Sequence, residues 1–211
     1  MTTFEQNMLF EFASRDKSRA FLNSVTFDDI GLALSTDGFR LFATKNLYNP
    51  EMAGKTYDVY ELKNTGVYKE INEKYADWKA LFKTMDRANY KNNFLLEIPE
   101  WFTHFKDKEE KVVFTIDFQN DESPKIICGC FQNDFSIAID GRFLAPFSGK
   151  KISITVDSYK APIIITPAAE LVDERLDILQ ELKTLDWFSV IMPIKPDEAD
   201  MDNDTKKTIF V

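Results

Sequence analysis

The sequence has few of the residues from which catalytic and metal sites are built. Its 211 residues include one histidine, His104, and two cysteines, Cys128 and Cys130. Cysteines two positions apart on one strand are poorly placed for a disulfide, and a zinc site usually needs a second pair of ligands. No P-loop, nucleotide-binding glycine pattern or nucleophile elbow is present. These absences predict a protein that is not an enzyme and that uses no metal or cofactor.

Long apolar runs and an excess of positive charge are also missing. No run approaches the roughly 20 apolar residues of a membrane-spanning helix, and no signal-peptide pattern follows Met1. With so few cysteines, the sequence indicates a cytoplasmic protein without a membrane partner. The formal net charge of −9 argues against a general nucleic-acid binder. A few clustered basic residues can still create a positive field at one face, because the local field matters more than the sum.

What the sequence does contain is a large apolar content arranged in short periodic segments. Hydrophobic residues make up 44% of the chain, and 19 residues are phenylalanine, so a substantial core can form. In the first part, the periodicity predicts one helix, several strands and a hairpin. The helix is expected at 5–19, the strands at 20–28, 31–36 and 39–45, and the hairpin at 56–71.

The second part is predicted to alternate strands with short helices. Pro99 in a first helical turn and Asp140 as an N-cap mark two helix starts. Apolar residues at helical spacing predict a third, longer amphipathic helix. The helices are expected at 99–106, 140–147 and 168–186, and the strands at 94–98, 111–119, 125–130, 135–139, 151–156, 162–166 and 187–194.

Three segments in a fixed order resemble one protein family. They are Leu22-Asn23, then Thr36-Asp37-Gly38 with Arg40-Leu41 after one residue, and finally Val190-x-Met192-Pro193. Their order and spacing are similar to those in the middle and last domains of the bacterial sliding clamp, the beta subunit of DNA polymerase III. The resemblance implies an α+β DNA-clamp fold, with antiparallel sheets and short helices on one face, in two clamp-like domains.

On this resemblance the chain divides near residue 88. Residues 1–88 resemble an abbreviated middle domain, and residues 89–195 resemble the last domain with an inserted helix at 168–186. Residues 196–211 are acidic and are expected to form a flexible tail. The family's first domain has no counterpart, so the resemblance implies a shortened, divergent clamp-like protein.

The resemblance implies a binding pocket in place of an active site. In the family, these segments wall a pocket for clamp-binding peptides, which present a glutamine and two or three apolar side chains. Gly38 would let a peptide approach the backbone, and Arg40 is expected to meet a peptide carbonyl or acid. By the family's pattern the pocket residues are Leu22, Thr36, Gly38, Phe39, Arg40, Leu41, Val190, Met192 and Pro193. The Thr-Asp-Gly segment is also typical of an ordinary turn, and the last strand of an ordinary core.

The function implied by the resemblance is that of a sliding-clamp-like DNA polymerase processivity factor. Its partners would be DNA polymerase or repair proteins that carry clamp-binding peptides, together with double-stranded DNA. Weak phosphate contacts need only a modest set of basic residues. The candidates beside the predicted helices are Arg15, Lys17, Arg19, Lys106, Lys108, Arg142, Lys150 and Lys151. Full-length clamps close with six domains in the ring, so two domains per chain would give a head-to-tail homotrimer.

Two alternative functions stay open. A non-ring clamp-like binding module would sequester or dock clamp-binding peptides without encircling DNA. A structural domain that has a clamp-like topology by chance would do neither. The apolar segment Thr208-Ile209-Phe210-Val211 in the tail is either an occupant of a neighbour's pocket or a frayed end.

Overall fold

The structure is a computed structural model, and most of the chain can be described from it. The described residues are 3–16, 18–73, 75, 77–85, 90, 92–108, 112–118, 124–128, 136–158, 161–168 and 177–194.

Two compact units make up the chain. Unit 1 consists of Met1–Arg87 and Val172–Val190, and unit 2 of Ala88–Leu171 and Ile191–Val211. The first boundary lies beside the one suggested by the sequence. The segment 172–190, however, lies in unit 1, whereas the sequence-based division places it in the second domain.

The elements are short throughout the described part of the chain. The α-helices are α1 (Phe4–Phe12), α2 (Val59–Thr65), α3 (Lys79–Lys83), α4 (Gly141–Leu144) and α5 (Ile178–Leu182), and short 3-10 helices lie at Pro50–Met52, Glu100–Phe105 and Ala145–Phe147. The strands are β1 (Ser24–Phe27), β2 (Ala33–Thr36), β3 (Arg40–Thr44), β4 (Lys55–Asp58), β5 (Asn92–Glu97), β6 (Val113–Asp117), β7 (Lys125–Cys128), β8 (Ser136–Asp140), β9 (Lys151–Val156), β10 (Ile163–Pro167) and β11 (Trp187–Ile191).

Unit 1 is built on a sheet with the strand order β4-β1-β2-β3-β11. The pairs among β1 to β4 are antiparallel. On one face, the Phe42 ring contacts the ring of Phe12 from α1 at 5.7 Å and that of Trp187 at 5.8 Å. Elsewhere in the unit, the ring of Phe188 from β11 packs against Phe82 of α3 at 6.0 Å. The sheet is therefore stabilised by aromatic side chains that it buries against short helices.

Unit 2 contains strands in the order β10-β9-β5 and a separate sheet in the order β7-β6-β8. Phe114 of β6 is the centre of an aromatic cluster, since the rings of Phe102 and Phe105 lie 4.8 and 5.0 Å from it. Helix α4 starts directly against this cluster. A side chain at Gly141 would stand 2.6 Å from the Phe114 ring, closer than real contacts allow. Glycine is thus the residue that permits this packing.

The predicted helix at 5–19 is wrong beyond Phe12. The start is well defined, because Thr3 and Gln6 exchange backbone-to-side-chain hydrogen bonds in a capping box. After Phe12 the chain becomes extended, and the Ser14 N–H donates to the Leu22 carbonyl at 2.8 Å. Arg15 and Arg19 therefore lie in a loop after α1 and do not continue the helix.

The predicted hairpin at 56–71 is also wrong over most of its length. Strand β4 ends at Asp58, whose carboxylate accepts hydrogen bonds from two N–H groups in the first turn of α2. Gly66 ends α2 with a φ of 72°, the left-handed conformation that suits glycine. Only an isolated antiparallel bridge between Tyr57 and Glu70 retains the predicted pairing. The caps at both ends therefore stabilise a helix in a segment whose alternating apolar residues predict strands.

The helix predicted at 168–186 is not continuous, because the backbone is extended at Asp177 and the helix that follows ends at Leu182. Within the described residues, α5 covers only Ile178–Leu182, with the Asp177 carboxylate capping its N-terminus. Ala168 follows strand β10 and is not helical. Residues 169–176 lie outside the described residues, as do the tail at 196–211 and Cys130. In contrast, the predicted hairpin of β9 and β10 and the Asp140 N-cap of α4 are confirmed.

Within the described residues, none of the helices is long and apolar enough to cross a membrane. The same residues contain no group of three histidine, cysteine or acidic side chains that could hold a metal ion.

Asp28 and Asp29, neighbours in the turn after β1, give a pH-dependent prediction. Asp28 is 6% exposed, and burial raises the pKa of its carboxyl even though Oδ1 accepts N–H bonds from Ile30 and Leu32. A raised folded-state pKa means that this group stabilises the fold at low pH and that the contribution is lost as pH rises through that pKa. Asp28→Asn keeps the acceptor, so we expect stability to rise more, or fall less, between pH 4 and pH 7 than in the parent.

Asp29→Asn is the matched control and should act in the opposite direction. Its hydrogen bond and ion pair with Lys79 lower the pKa of the exposed Asp29 carboxyl. That contribution is present above the unfolded-state pKa and is lost as pH falls through the folded-state pKa. Urea unfolding of both variants at a series of pH values provides the comparison. Parallel pH profiles for the two variants would contradict the assignment.

Candidate functional site

The turn between β2 and β3 is held by side chains at two of its positions and by a glycine at a third. The Thr36 hydroxyl donates to the Arg40 carbonyl at 2.6 Å and accepts from the Gly38 N–H at 3.0 Å. The Asp37 carboxylate accepts from the N–H groups of Phe39 and Arg40 at 2.9 and 3.0 Å. Gly38 has a φ of 94°, which a residue with a Cβ rarely adopts. The sequence Thr-Asp-Gly therefore produces one well-defined turn.

Arg40 joins this turn to the end of α1. Its Nε donates to Asp37 Oδ2 at 2.8 Å, and an Nη group donates to the Glu11 carbonyl at 2.7 Å. The guanidinium also lies over the Phe12 ring, 4.7 Å from the centroid. Only 13% of the side chain is exposed. Arg40 thus supports the turn from within unit 1, whereas its expected contact with a bound peptide stays a prediction.

An exposed aromatic side chain stands on this supported turn. Phe39 is 61% exposed, and Phe21, in the loop before β1, is 36% exposed. Leu22, which follows Phe21 in the chain, lies next to this turn, because its Cδ1 is 3.8 Å from the position that a Cβ would take on Gly38. We call Phe21, Leu22, Gly38 and Phe39 the Phe39 surface. It unites four residues of the turn and the preceding loop, three of which belong to the predicted pocket.

The remaining predicted pocket residues differ in their exposure. Thr36, Leu41 and Val190 are 8%, 4% and 2% exposed, so they have little area to offer a ligand. Met192 is 37% exposed, and Pro193 is half-buried. Val190 belongs to unit 1, and the latter two residues belong to unit 2. Within unit 1, the structure therefore exposes Gly38 and Phe39, whereas Leu22, at 5% exposure, is buried like Thr36 and Leu41.

Tyr75 is a neighbour of the turn that sequence reasoning missed. Burial of its hydroxyl, with a further contribution from the Asp37 carboxylate, raises the pKa of this phenol above its usual range. The hydroxyl, which is neutral near pH 7 as any phenol is, lies close enough to Thr36 and Asp37 to be affected by both. No local pattern in the sequence indicates this contact, which joins residues far apart in the chain.

The predicted DNA-contacting residues do not share one environment. Arg15 and Arg19 are exposed, and Arg15 lies 3.8 Å from the Glu11 carboxylate, while Lys17 is outside the described residues. Lys106, Lys108, Lys150 and Lys151 are all exposed in unit 2. Acidic residues lie among them, since Lys151 pairs in register with Glu97 across β9 and β5.

Arg142 is the basic candidate with the strongest internal partner. Its Nη2 lies 2.5 Å from Asp140 Oδ2, and its Nε donates to the same carboxylate at 3.0 Å. Asp140 is 2% exposed, so this ion pair is anchored in the start of α4. The charge of Arg142 is therefore largely balanced within unit 2. His104 is exposed in the 3-10 helix at Glu100–Phe105.

Comparison with solved structures identifies similar folds among bacterial DNA polymerase III beta subunits. The proteins from Caulobacter crescentus, Borrelia burgdorferi and Thermotoga maritima match with TM-scores of 0.62, 0.61 and 0.60 at 14%, 17% and 14% sequence identity. Each match covers 92% of this chain, and this chain spans 61–64% of the length of those proteins. No protein-family model and no curated protein matches the sequence.

At these identities the similarity shows a shared fold. The predicted α+β clamp fold, with antiparallel sheets and short helices, is confirmed. The proteins with similar structures belong to the same family that the three sequence segments resemble.

Arg40→Met tests whether the guanidinium supports the turn. The change removes two charged hydrogen bonds and leaves the Glu11 carbonyl and Asp37 Oδ2 without this donor. We expect the free energy of unfolding in urea to fall by about 1.5–3 kcal/mol, the usual cost for hydrogen bonds to charged groups.

Arg15→Met is the matched control, because the Arg15 side chain is 73% exposed. We expect this exposed pair to contribute less than about 0.5 kcal/mol. Equal losses in the two variants would mean that Arg40 has no special structural role.

Proposed function

We propose that this chain is a divergent clamp-like processivity factor that acts in the cytoplasm and tethers replication or repair partners at the Phe39 surface. One observation carries the proposal. Residues that resemble the peptide-binding segments of sliding clamps lie on a rigid, exposed turn in a chain with the clamp fold. A chance topology would not require Gly38 and Phe39 to be exposed with the buried Leu22 beside Gly38.

The geometry of the turn suits peptide binding. An exposed aromatic side chain on a turn held by hydrogen bonds loses little conformational entropy when a ligand packs on it. Aromatic anchors of this kind often supply most of the binding energy of an interface. The missing Cβ of Gly38 allows a peptide backbone to come close. Phe39 stands where the resembled family often has histidine, so we expect a preference for apolar and aromatic peptide side chains.

Encirclement of DNA is the second part of the proposal. If two clamp-like domains are present per chain, a head-to-tail homotrimer would hold six domains in a ring around double-stranded DNA. Exposed lysines such as Lys106, Lys108 and Lys150 would make weak contacts with phosphates that permit sliding.

A non-ring binding module is the alternative, and the charge distribution favours it. The chain carries a net charge of −9, and the guanidinium of Arg142 is paired with Asp140. Such a module would sequester clamp-binding peptides or dock on them without encircling DNA. Both functions use the Phe39 surface in the same way, so peptide binding alone does not separate them.

Phe39→Ala tests the peptide-binding function. Since Phe39 is 61% exposed, its loss should change the free energy of unfolding by less than about 0.5 kcal/mol. We expect the affinity for a fluorescein-labelled peptide with one glutamine, leucine and phenylalanine to fall about tenfold or more, measured by fluorescence anisotropy.

Tyr60→Ala is the control for this experiment. Tyr60 is a comparably exposed aromatic residue, 53% exposed on α2, and lies outside the Phe39 surface. Its loss should leave the affinity unchanged. A similar loss of affinity in both variants would argue for nonspecific hydrophobic binding.

Solution mass and retention on DNA separate the ring from the module. For a ring, light scattering should give three times the mass of the 24.5 kDa chain over a range of concentrations. The protein should then stay on nicked circular DNA and slide off after linearisation. The substitutions Lys108→Glu and Lys151→Glu should weaken retention on DNA without changing the affinity for the peptide. A monomer at every concentration would overturn the homotrimer and leave the binding module.

A further inference from the structure

The sheet of unit 1 has two faces, and buried residues of the predicted pocket lie on one of them. The rings of Phe42 and Trp187 are 5.8 Å apart, so these two side chains share a face. Neighbouring residues of a strand point to opposite faces, so Leu41 and Phe188 lie on the other face. Val190, two residues after Phe188, lies there too. We call this side the Phe188 face, and all of these residues belong to unit 1.

Two aromatic side chains, from α3 and its N-cap, pack on the Phe188 face. The rings of Phe82 and Trp78 lie 6.0 and 6.5 Å from the Phe188 ring, and all three side chains are buried. Leu41 and Val190, which the resemblance assigns to a peptide pocket, are buried on the same face. In this arrangement Leu41 and Val190 have almost no surface for a ligand.

Helix α3 lacks the N-terminal side-chain cap that the other α-helices of the described residues have. The N-cap side chains of α1, α2, α4 and α5 accept hydrogen bonds from the first turn, whereas Trp78 makes none. A helix of five residues is also too short to be stable by itself. Lys79 joins α3 to the 77% exposed Asp29, and exposed ion pairs contribute little. The packing of Trp78 and Phe82 therefore holds α3 in place more than capping or charge does.

We propose that α3 opens from the Phe188 face as a unit and that partner peptides compete with it there for Leu41 and Val190. Opening breaks the ring contacts of Trp78 and Phe82 and leaves the strands paired. Elements with few local supports open at a lower free energy than the whole domain. When a ligand needs the open form, its apparent affinity is reduced by the fraction of molecules that are open. The competition, though not the opening, rests on the peptide-binding function proposed above.

Thiol labelling at two matched buried positions of the full-length chain tests the opening. Ala43→Cys places a thiol on the Phe188 face, since Ala43 follows Phe42. Ser35→Cys places one on the opposite face, because Ser35 pairs in register with Phe42. Both positions are fully buried. Iodoacetamide is the reagent, and peptide-level mass spectrometry separates each new thiol from Cys128 and Cys130.

Without denaturant, we expect the thiol at position 43 to react about tenfold faster than the thiol at position 35, or more. Local opening of α3 exposes only position 43, whereas global unfolding exposes both. Equal rates at the two positions, or a faster reaction at position 35, would overturn the opening.

Two phenylalanine variants show whether position 43 reacts through local opening or through global unfolding. Phe82→Leu removes the ring contact with Phe188 and should raise the rate at position 43 about fivefold. Phe4→Leu is the matched control, because the Phe4 ring packs on Phe42 on the opposite face. It should raise the rate at position 35 and leave that at position 43 unchanged. If Phe4→Leu raises both rates equally, global unfolding explains the labelling and the proposal fails.

Peptide binding by the same variants tests the competition and separates it from the proposed function. Phe82→Leu should bind the fluorescein-labelled peptide more tightly by the factor by which it raises the rate at position 43, because more molecules are open. Phe4→Leu should leave the affinity unchanged. If Phe82→Leu also leaves it unchanged while Phe39→Ala weakens binding, the competition is overturned and the peptide-binding function stands. If the peptide binds none of these chains and position 43 is labelled as expected, the opening stands and the peptide-binding function fails.

Discussion

The candidate site depends on one buried cation. The Arg40 guanidinium joins the Asp37 carboxylate, the last turn of α1 and the Phe12 ring. A charged group with so little exposure is tolerated only when its donors are satisfied, so the turn and the helix end must keep their mutual positions. Through this contact, the aromatic packing of α1 on the sheet fixes the backbone that carries Phe39. The surface is therefore rigid because the core beneath it is rigid.

Features that depend on neighbouring residues could be predicted from the sequence. Features that depend on contacts between residues far apart in the chain could not. Asp140 as an N-cap and the β9–β10 hairpin follow from neighbouring residues, and both are confirmed. The end of α1 was missed because it depends on a hydrogen bond between Ser14 and Leu22. In the α2 segment, strand-like alternation competed with the caps at Asp58 and Gly66, and the caps prevailed. The resemblance assigned Arg40 to the predicted pocket, whereas its hydrogen bond to the Glu11 carbonyl joins residues 29 positions apart and has no local signal.

Two kinds of basic residue stand out in the part of the chain that the structure describes. Arg40 and Arg142 are engaged by carboxylates within their own units, and their charges contribute to folding. Lys108, Lys151 and Arg19 are exposed and set the local field at the surface. Because the total charge is −9, any positively charged face has to arise from exposed basic residues such as these. Binding to a polyanion would then be strongly salt-dependent, as expected for a few exposed charges on an acidic protein.

In the β2–β3 turn, the residues that determine the backbone conformation are different from the residue whose side chain is most exposed. Side-chain oxygens of Thr36 and Asp37, the left-handed Gly38 and the guanidinium of Arg40 make the fold of the turn. Position 39 contributes only a backbone N–H, which every amino acid except proline supplies. The side chain at position 39 can consequently be replaced without loss of the hydrogen bonds that hold the turn. Under the function proposed above, a change of the side chain at position 39 would alter which ligand is recognised and leave the turn that presents it intact.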